Sequence, residues 1–301
     1  MECHPVSADD ANGSAPADKG DLLRGLRKKL ARLQQSAAPQ PAPDAILYRR
    51  DLPREAPRRV PLGGGICIPL EKCIEGRETP SARGPAFYLI EQPAAEAEAL
   101  PPVLLQAIEK LSLPDARLAP EHVRFLDVET TGLGTAVTFL IGTLVWQEGG
   151  LVCRQFLART YAEEASILER FAEEARRTTL FVTFNGKTFD VPSLRARAAA
   201  TGVALPEPPC HLDLLHEARR RFKDRLPDCR LQTLERYVCG RHRSDDIPGS
   251  DIGRAYHDFV RTGDARELAL IVQHNRWDLV TMAHLLAKMF GEEQRNPHLL
   301  R

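Results

Sequence analysis

The chain has 301 residues, room for one large domain or two modest ones, and 43% hydrophobic content is enough to build a sizeable core. Its 41 Lys plus Arg balance 41 Asp plus Glu, so net charge advertises no anionic partner and any basic surface must be local. The seven cysteines (3, 67, 73, 153, 210, 229, 239) include no CxxC pair, which leaves no zinc knuckle or thioredoxin-type motif to read and points to free thiols in a reducing cytoplasm.

The first twenty residues lack the apolar core of a leader, and no run approaches the roughly 18 apolar residues of a membrane span. Residues 1–60 read as a low-complexity tail rich in Ala, Pro, Asp and Arg. Within it, a short basic amphipathic helix is predicted over residues 21–34, with Leu22, Leu23, Leu26, Leu30 and Leu33 on one stripe. Arg24, Arg27, Lys28, Lys29 and Arg32 occupy its other face, expected to be a solvated surface over a docked stripe. Residues 61–120 ("GGGICIPL", "GPAFYLIE", "PPVLLQAIEKLSL") predict a few short strands and one helix, an N-terminal adjunct of uncertain independence.

From residue 121 the pattern sharpens. "VRFLDVE", "TFLIGTLVWQ" and "LVCRQFLAR" are strand-like, the last two joined by the hairpin signal "EGG", so an antiparallel meander is expected. "EEASILERFAEEARR" is helical, with Ile167, Leu168, Phe171 and Ala175 on one face. There follow the strand "LFVTF", a helix "VPSLRARAAATG" ending near glycine, a short strand in "CHLDLLH" and closing helices. That order predicts an α/β, ribonuclease H-like mixed sheet over residues 121–291, the meander plus parallel strands flanked by helices, with 292–301 as a C-terminal tail.

Asp127 and Glu129 end the first strand of the meander and, by alternation, project with Phe125 while Leu126 and Val128 face the other way. Two carboxylates on one side of a strand end require positive charge nearby. Asp190 follows the strand ending at Asn185, where a helix N-cap is the competing reading. His274 and Asp278 are four positions apart on one helix face, the spacing of a simple surface pair. Taken together, Asp127, Glu129, Asp190 and Asp278 supply the hard oxygen ligands that suit two Mg²⁺ or Mn²⁺ ions, an arrangement that stabilises the attacking and leaving oxygens of displacement at phosphorus.

"DVETTGL", "FNGKTFD" and "HNRWD" resemble the three motifs of DEDD-type 3′→5′ exonucleases, and residues 121–290 look most like the YprB-type ribonuclease H-like domain. The resemblance extends to "HLDLLHEARR", "LPDCRLQTLERYVCG" and "DIPGSDIGRAYHDFVRTGD". It implies that Asp127, Glu129, Asp190 and Asp278 hold two metal ions, that His274 helps activate the attacking water, and that the polarity of cleavage is 3′→5′. The third motif is mixed: the gap from His274 to Asp278 is that of the tyrosine subtype, but the residue is the histidine of the other. An imidazole with an ordinary pKa near 6.5 can accept a proton at neutral pH.

Thr130 and Asn185 are candidate substrate contacts, with turn roles as the alternative for each. Asp213 reads either as a strand-end acid pairing with Arg219 or Arg220 or as support for the site. Lys187, Arg195 and Arg197 are expected to be solvated, and Phe222 in "RRRFKDR" to pack inward. The function expected is a metal-dependent nuclease on single-stranded RNA or DNA, with no membrane partner. A non-catalytic nucleic-acid-binding module of the same fold is the alternative, and a structural partner protein docking through its N-terminal helix is a third.

Overall fold

The computed structural model describes residues 19–35, 67–97, 99–111, 118–134, 136–207 and 210–291. Of the expected tail at 1–60, residues 1–18 and 36–60 lie outside the described residues, as do the start of the expected adjunct at 61–66, the expected tail at 292–301, and Cys3. α1 (Lys19–Gln35) is the expected basic helix; Leu26 and Leu30 are buried beside Leu104 and Ile108, while Arg24, Arg27 and Lys28 stay exposed. A buried apolar stripe under a charged face is what its leucine spacing dictates.

α2 (Leu70–Cys73), β1 (Arg77–Thr79), β2 (Phe87–Pro93) and α3 (Pro101–Leu111) follow. The segment expected as an adjunct starts the sheet: β2 pairs antiparallel with β5 (Gly150–Leu157) from Tyr88↔Leu157 to Pro93↔Val152. β3 (Val123–Thr130), β4 (Thr138–Gln147) and β5 form the expected meander. Its hairpin turns on Glu148 and Gly149, with φ of 51° and 84°. Positive φ at both central residues matches the right-handed twist of the strands, and Gly149 adopts it without steric cost.

α4 (Glu164–Ala175), β6 (Leu180–Thr183), α5 (Asp190–Thr201), β7 (His211–Asp213) and α6 (Leu214–Phe222) complete the sheet and its crossovers. α7 (Leu231–Tyr237), α8 (Ile252–Thr262) and α9 (Arg266–Leu286) close the chain, α9 running on into a π-helical turn at Ala287–Gly291. The strand order is β1-β2-β5-β4-β3-β6-β7, with β3–β6 and β6–β7 parallel.

Each face of the sheet carries its own core. One holds Phe125, Leu144, Leu180, Val182 and Leu212 under α1, α3, α6 and the end of α9; the other holds Leu126, Ile141, Phe156 and Phe181 under α4, α5 and α8. α9 serves both, with Leu268, Ile271 and Val272 in the second core and Leu279 to Leu286 in the first. The handover between them carries His274, Asn275 and Asp278. Among the described residues, no helix is long and apolar enough to cross a membrane.

Candidate active site

Asp127 and Glu129 project on the Phe125 face of β3, because Leu126 and Val128 belong to the opposite core. Across the ladder Asp127 faces Gly142, and the missing side chain there lets α9 approach. Asn275 fills the space, donating from Nδ2 to the Asp127 carbonyl at 3.2 Å and to Asp127 Oδ2 at 2.7 Å. Its own Oδ1 accepts from Gln155 Nε2 at 2.9 Å, and that nitrogen also donates to the Val272 carbonyl at 2.8 Å. A Cβ at Gly142 would overlap Asn275 Oδ1.

Asp190 arrives through the loop 184–189, in which Asn185 is left-handed with φ 65°. Asp213 organises that loop: its carboxylate accepts from the amides of Asn185 at 2.7 Å and Lys187 at 3.1 Å, and caps α6 by accepting from Leu215 N at 3.1 Å. Of the two readings of Asp213, the pairing with Arg219 or Arg220 is therefore not the one formed. Asp213 is buried at the base of α6, where three backbone amides reach it, while Arg220 and Arg221 close on Glu217. The N-cap reading of Asp190 is corrected as well. Phe189 is the N-cap, and Asp190 Oδ1 reaches across to accept from Val128 N at 3.1 Å, tying α5 to β3.

On α9, His274 Nε2 lies 3.6 Å from Asp278 Oδ2, and Nδ1 lies 2.7 Å from Asp246 Oδ1 on the connection between α7 and α8. From the same connection Arg243 puts Nη2 2.5 Å from Asp278 Oδ1, with further contacts to Glu235 and to Asp246 Oδ2 at 3.4 Å. Asp127, Glu129, Asp190, His274 and Asp278 are thus brought into one electrostatic cluster.

The surplus of acid and its burial shift the pKa values of the cluster. Burial, then the charges of Glu129, Asp278 and Asp190, push Asp127 well above the carboxylate range, only partly relieved by Asn275. Burial raises Glu129 to about 8 against the attraction of His274, with Asp278 and Asp190 adding to the rise. Burial raises Asp190 to about 7, moderated by the Val128 amide. Burial pulls His274 down, but the Asp246 hydrogen bond and the Asp278 and Glu129 charges outweigh it and hold the imidazole up at about 9.

Among the described residues, no three His, Cys, Asp or Glu side chains stand ready-made around one cation position. Protein donors take up oxygens instead: Asn275 on Asp127, the Val128 amide on Asp190, Arg243 against Asp278. The chemistry of the donor set nonetheless suits a hard divalent cation, since Asp127, Glu129, Asp190 and Asp278 offer only carboxylate oxygens. Asp278 Oδ1 is buried and, although Arg243 is close, has no well-directed hydrogen bond.

Thr130 Oγ1 donates to the Gly132 carbonyl at 2.6 Å, and the backbone N–H of Asn185 donates to Asp213 Oδ1 at 2.7 Å, so both residues sit in turns close in sequence to the acids. Arg197, expected in solvent, pairs with buried Glu164 at 2.5 Å, whereas Lys187 is exposed and Phe222 packs against the core as expected. The sequence reading passed over Asn275, Gln155, Arg243 and Asp246. A lone glycine inside the apolar run "TFLIGTLVW" was the available signal that something approaches the strand closely.

The chain is 33% identical over 170 residues to the uncharacterized protein YprB of Bacillus subtilis (strain 168). That match covers 55% of this chain and 41% of YprB, so the chain spans less than half the length of that relative. Among solved structures it is similar to the family B DNA polymerase from the hyperthermophilic archaeon Pyrobaculum calidifontis, with a TM-score of 0.43 and 15% identity over 71% of this chain and 31% of the polymerase. The family model described as RNase_H superfamily matches residues 124–290, from the second residue of β3 into the π-helical turn that follows α9. With more than half of its length matched and the mixed sheet in place, the chain belongs to the RNase_H superfamily and has the ribonuclease H-like fold.

Proposed function

We propose that this chain hydrolyses phosphodiester bonds as a 3′→5′ exonuclease on single-stranded RNA or DNA, dependent on Mg²⁺ or Mn²⁺. The observation that carries the reading is the concentration of Asp127, Glu129, Asp190 and Asp278, from three separate elements, where burial and then mutual repulsion raise pKa values and, among the described residues, His274 and Arg243 are the cations that face them. The 3′→5′ polarity rests on the resemblance of the three motifs.

In this reading the four carboxylates hold the cations, which when bound supply the positive charge that stabilises the attacking and leaving oxygens. His274 presents Nε2 to the acids and takes the proton of the attacking water there. Its elevated pKa comes in part from Asp278 and Glu129, so neutralising those acids returns the imidazole toward a range where it accepts a proton at neutral pH. Leu133 and Phe189, 87% and 53% exposed, follow β3 and precede Asp190, and offer apolar surfaces for bases beside the acids. The free thiols among the described residues fit a reducing cytoplasm.

The Arg243–Asp278 pair favours one competing reading, a binding module whose acids are neutralised internally. Incubating 5′-labelled single-stranded RNA and DNA with the full chain in Mg²⁺, Mn²⁺ or EDTA, beside Asp127→Ala, separates the two. A metal-dependent ladder shortening from the 3′ end and absent in Asp127→Ala supports the exonuclease. Binding without cleavage in any metal overturns it in favour of the module.

A further inference from the structure

We propose that Asp246 is a positioning residue of this site: it accepts the hydrogen bond of His274 Nδ1–H and so keeps His274 Nε2 turned toward the acid cluster. The catalytic consequence rests on the nuclease reading above; the positioning itself does not.

The two ring nitrogens of a histidine are distinct, and the partner of one decides what the other presents. Here Nδ1 is 2.7 Å from Asp246 Oδ1 and Nε2 is 3.6 Å from Asp278 Oδ2, so the ring lies between an acid that holds it and an acid it serves. Only 12% of the His274 side chain and 13% of the Asp246 side chain are exposed, which makes an Nδ1–H without its acceptor costly. Asp246 is itself fixed through its other oxygen: Oδ2 accepts from Gln232 Nε2 at 3.0 Å and faces Arg243 Nη1 at 3.4 Å. Arg243 in turn is anchored on Glu235 and stacks over Trp277 at 5.7 Å. Each Asp246 oxygen therefore has one task, Oδ2 to anchor the carboxylate and Oδ1 to orient the ring.

Without Asp246 the ring can turn over and offer Nδ1 to the charged acids of its own helix and of β3. A buried carboxylate behind a histidine fixes orientation and tautomer without itself exchanging the proton. The residue comes from a loop with no periodic pattern, in "RSDDIPGSD", where neighbouring Asp245 is exposed. Nothing in that run distinguishes the two acids before folding.

The test has two arms on the full-length chain. In metal-free protein labelled with ¹⁵N-histidine, a far-downfield proton on Nδ1 of His274, identified by its loss in His274→Gln, is expected in the wild type, weakened in Asp246→Asn and absent in Asp246→Ala. Persistence of an unchanged signal in Asp246→Ala overturns the proposal. In steady-state cleavage, the isosteric Asp246→Asn is expected to lower kcat by about 10–100-fold with little change in KM. The same substitution in a His274→Ala background is expected to change kcat by less than about twofold, since its effect passes through the imidazole. An equal loss in both backgrounds overturns it. If the wild type cleaves nothing, the nuclease reading fails while the proton signal still decides the positioning.

Discussion

The two ends of β3 bury charge in opposite ways. At its start, Arg124 is 7% exposed and donates to Glu174 at 2.6 Å and Thr178 at 3.0 Å; Glu174 also meets Arg170 and Arg154 at 3.5 and 3.7 Å. At its far end, Asp127 and Glu129 join Asp190 and Asp278 with, among the described residues, His274 and Arg243 to oppose them. The first cluster has its cations built in, and the protein is complete without a ligand there. The second is left short of positive charge, at a cost in stability that folding alone does not explain. Buried charge by itself is therefore a poor marker of a site, and buried charge lacking protein partners is a good one.

The largest break of this contrast is in activity. Asp127→Ala is expected to lower cleavage by about 10³-fold or more, on the order of 4 kcal/mol of barrier, while nucleic-acid binding is kept or improved by the loss of a repelling carboxylate. Single-turnover cleavage and filter binding read the two effects separately. Wild-type rates in Asp127→Ala would remove the functional half of the comparison.

At the balanced end the same kind of change acts on stability. Glu174→Ala leaves Arg124 buried without its carboxylate and is expected to cost about 3–5 kcal/mol in denaturant unfolding. A loss under 1 kcal/mol would mean that Arg124 finds water or another acceptor, and the two ends would then differ less than they appear.

Between the two lies Gly142, where a methyl group would displace Asn275 from Asp127. Gly142→Ala is expected to cost about 1–3 kcal/mol through overpacking, and to lower cleavage because Asp127 loses the donor that aims it. The pairing of both losses is the prediction; stability alone would place Gly142 in the core and outside the site.

Much of this architecture can be read from residue order. The meander is visible because alternation and the "EGG" turn are local, and α4 because Ile167, Leu168, Phe171 and Ala175 share a helical face. The acids and His274 are visible because they sit in three short motifs. What eludes sequence reading depends on distant pairing. β2 joins β5 across 59 to 69 residues, Asp213 is satisfied by backbone amides that no motif records, and Arg243 and Asp246 reach the site from an irregular connection. Periodicity reports which face a residue takes on its own element, and says nothing about which loop folds over that face.

The smallest effect sharpens the comparison most. Glu129 at about 8 and Asp190 at about 7 are raised above ordinary carboxylates, so in the absence of metal the folded chain holds protons that the unfolded chain has released above about pH 5. His274, raised to about 9, contributes stability that is complete below about pH 6 and lost as pH rises through 9. All three act in one direction: stability of the metal-free protein falls from pH 5 to pH 9, and millimolar Mg²⁺ offsets the fall at the alkaline end. Asp190→Asn keeps an acceptor for the Val128 amide and deletes the charge, so at pH 8 in EDTA it is expected to stabilise by about 1–2 kcal/mol, or about 2–8 °C in Tm, with little change at pH 5. Thermal melts at the two pH values, with EDTA and with Mg²⁺, measure this directly. A variant that melts lower than the wild type at both would show that Asp190 is paired as well as Glu174 is, and that the far end of β3 carries no surplus charge for a cation to neutralise.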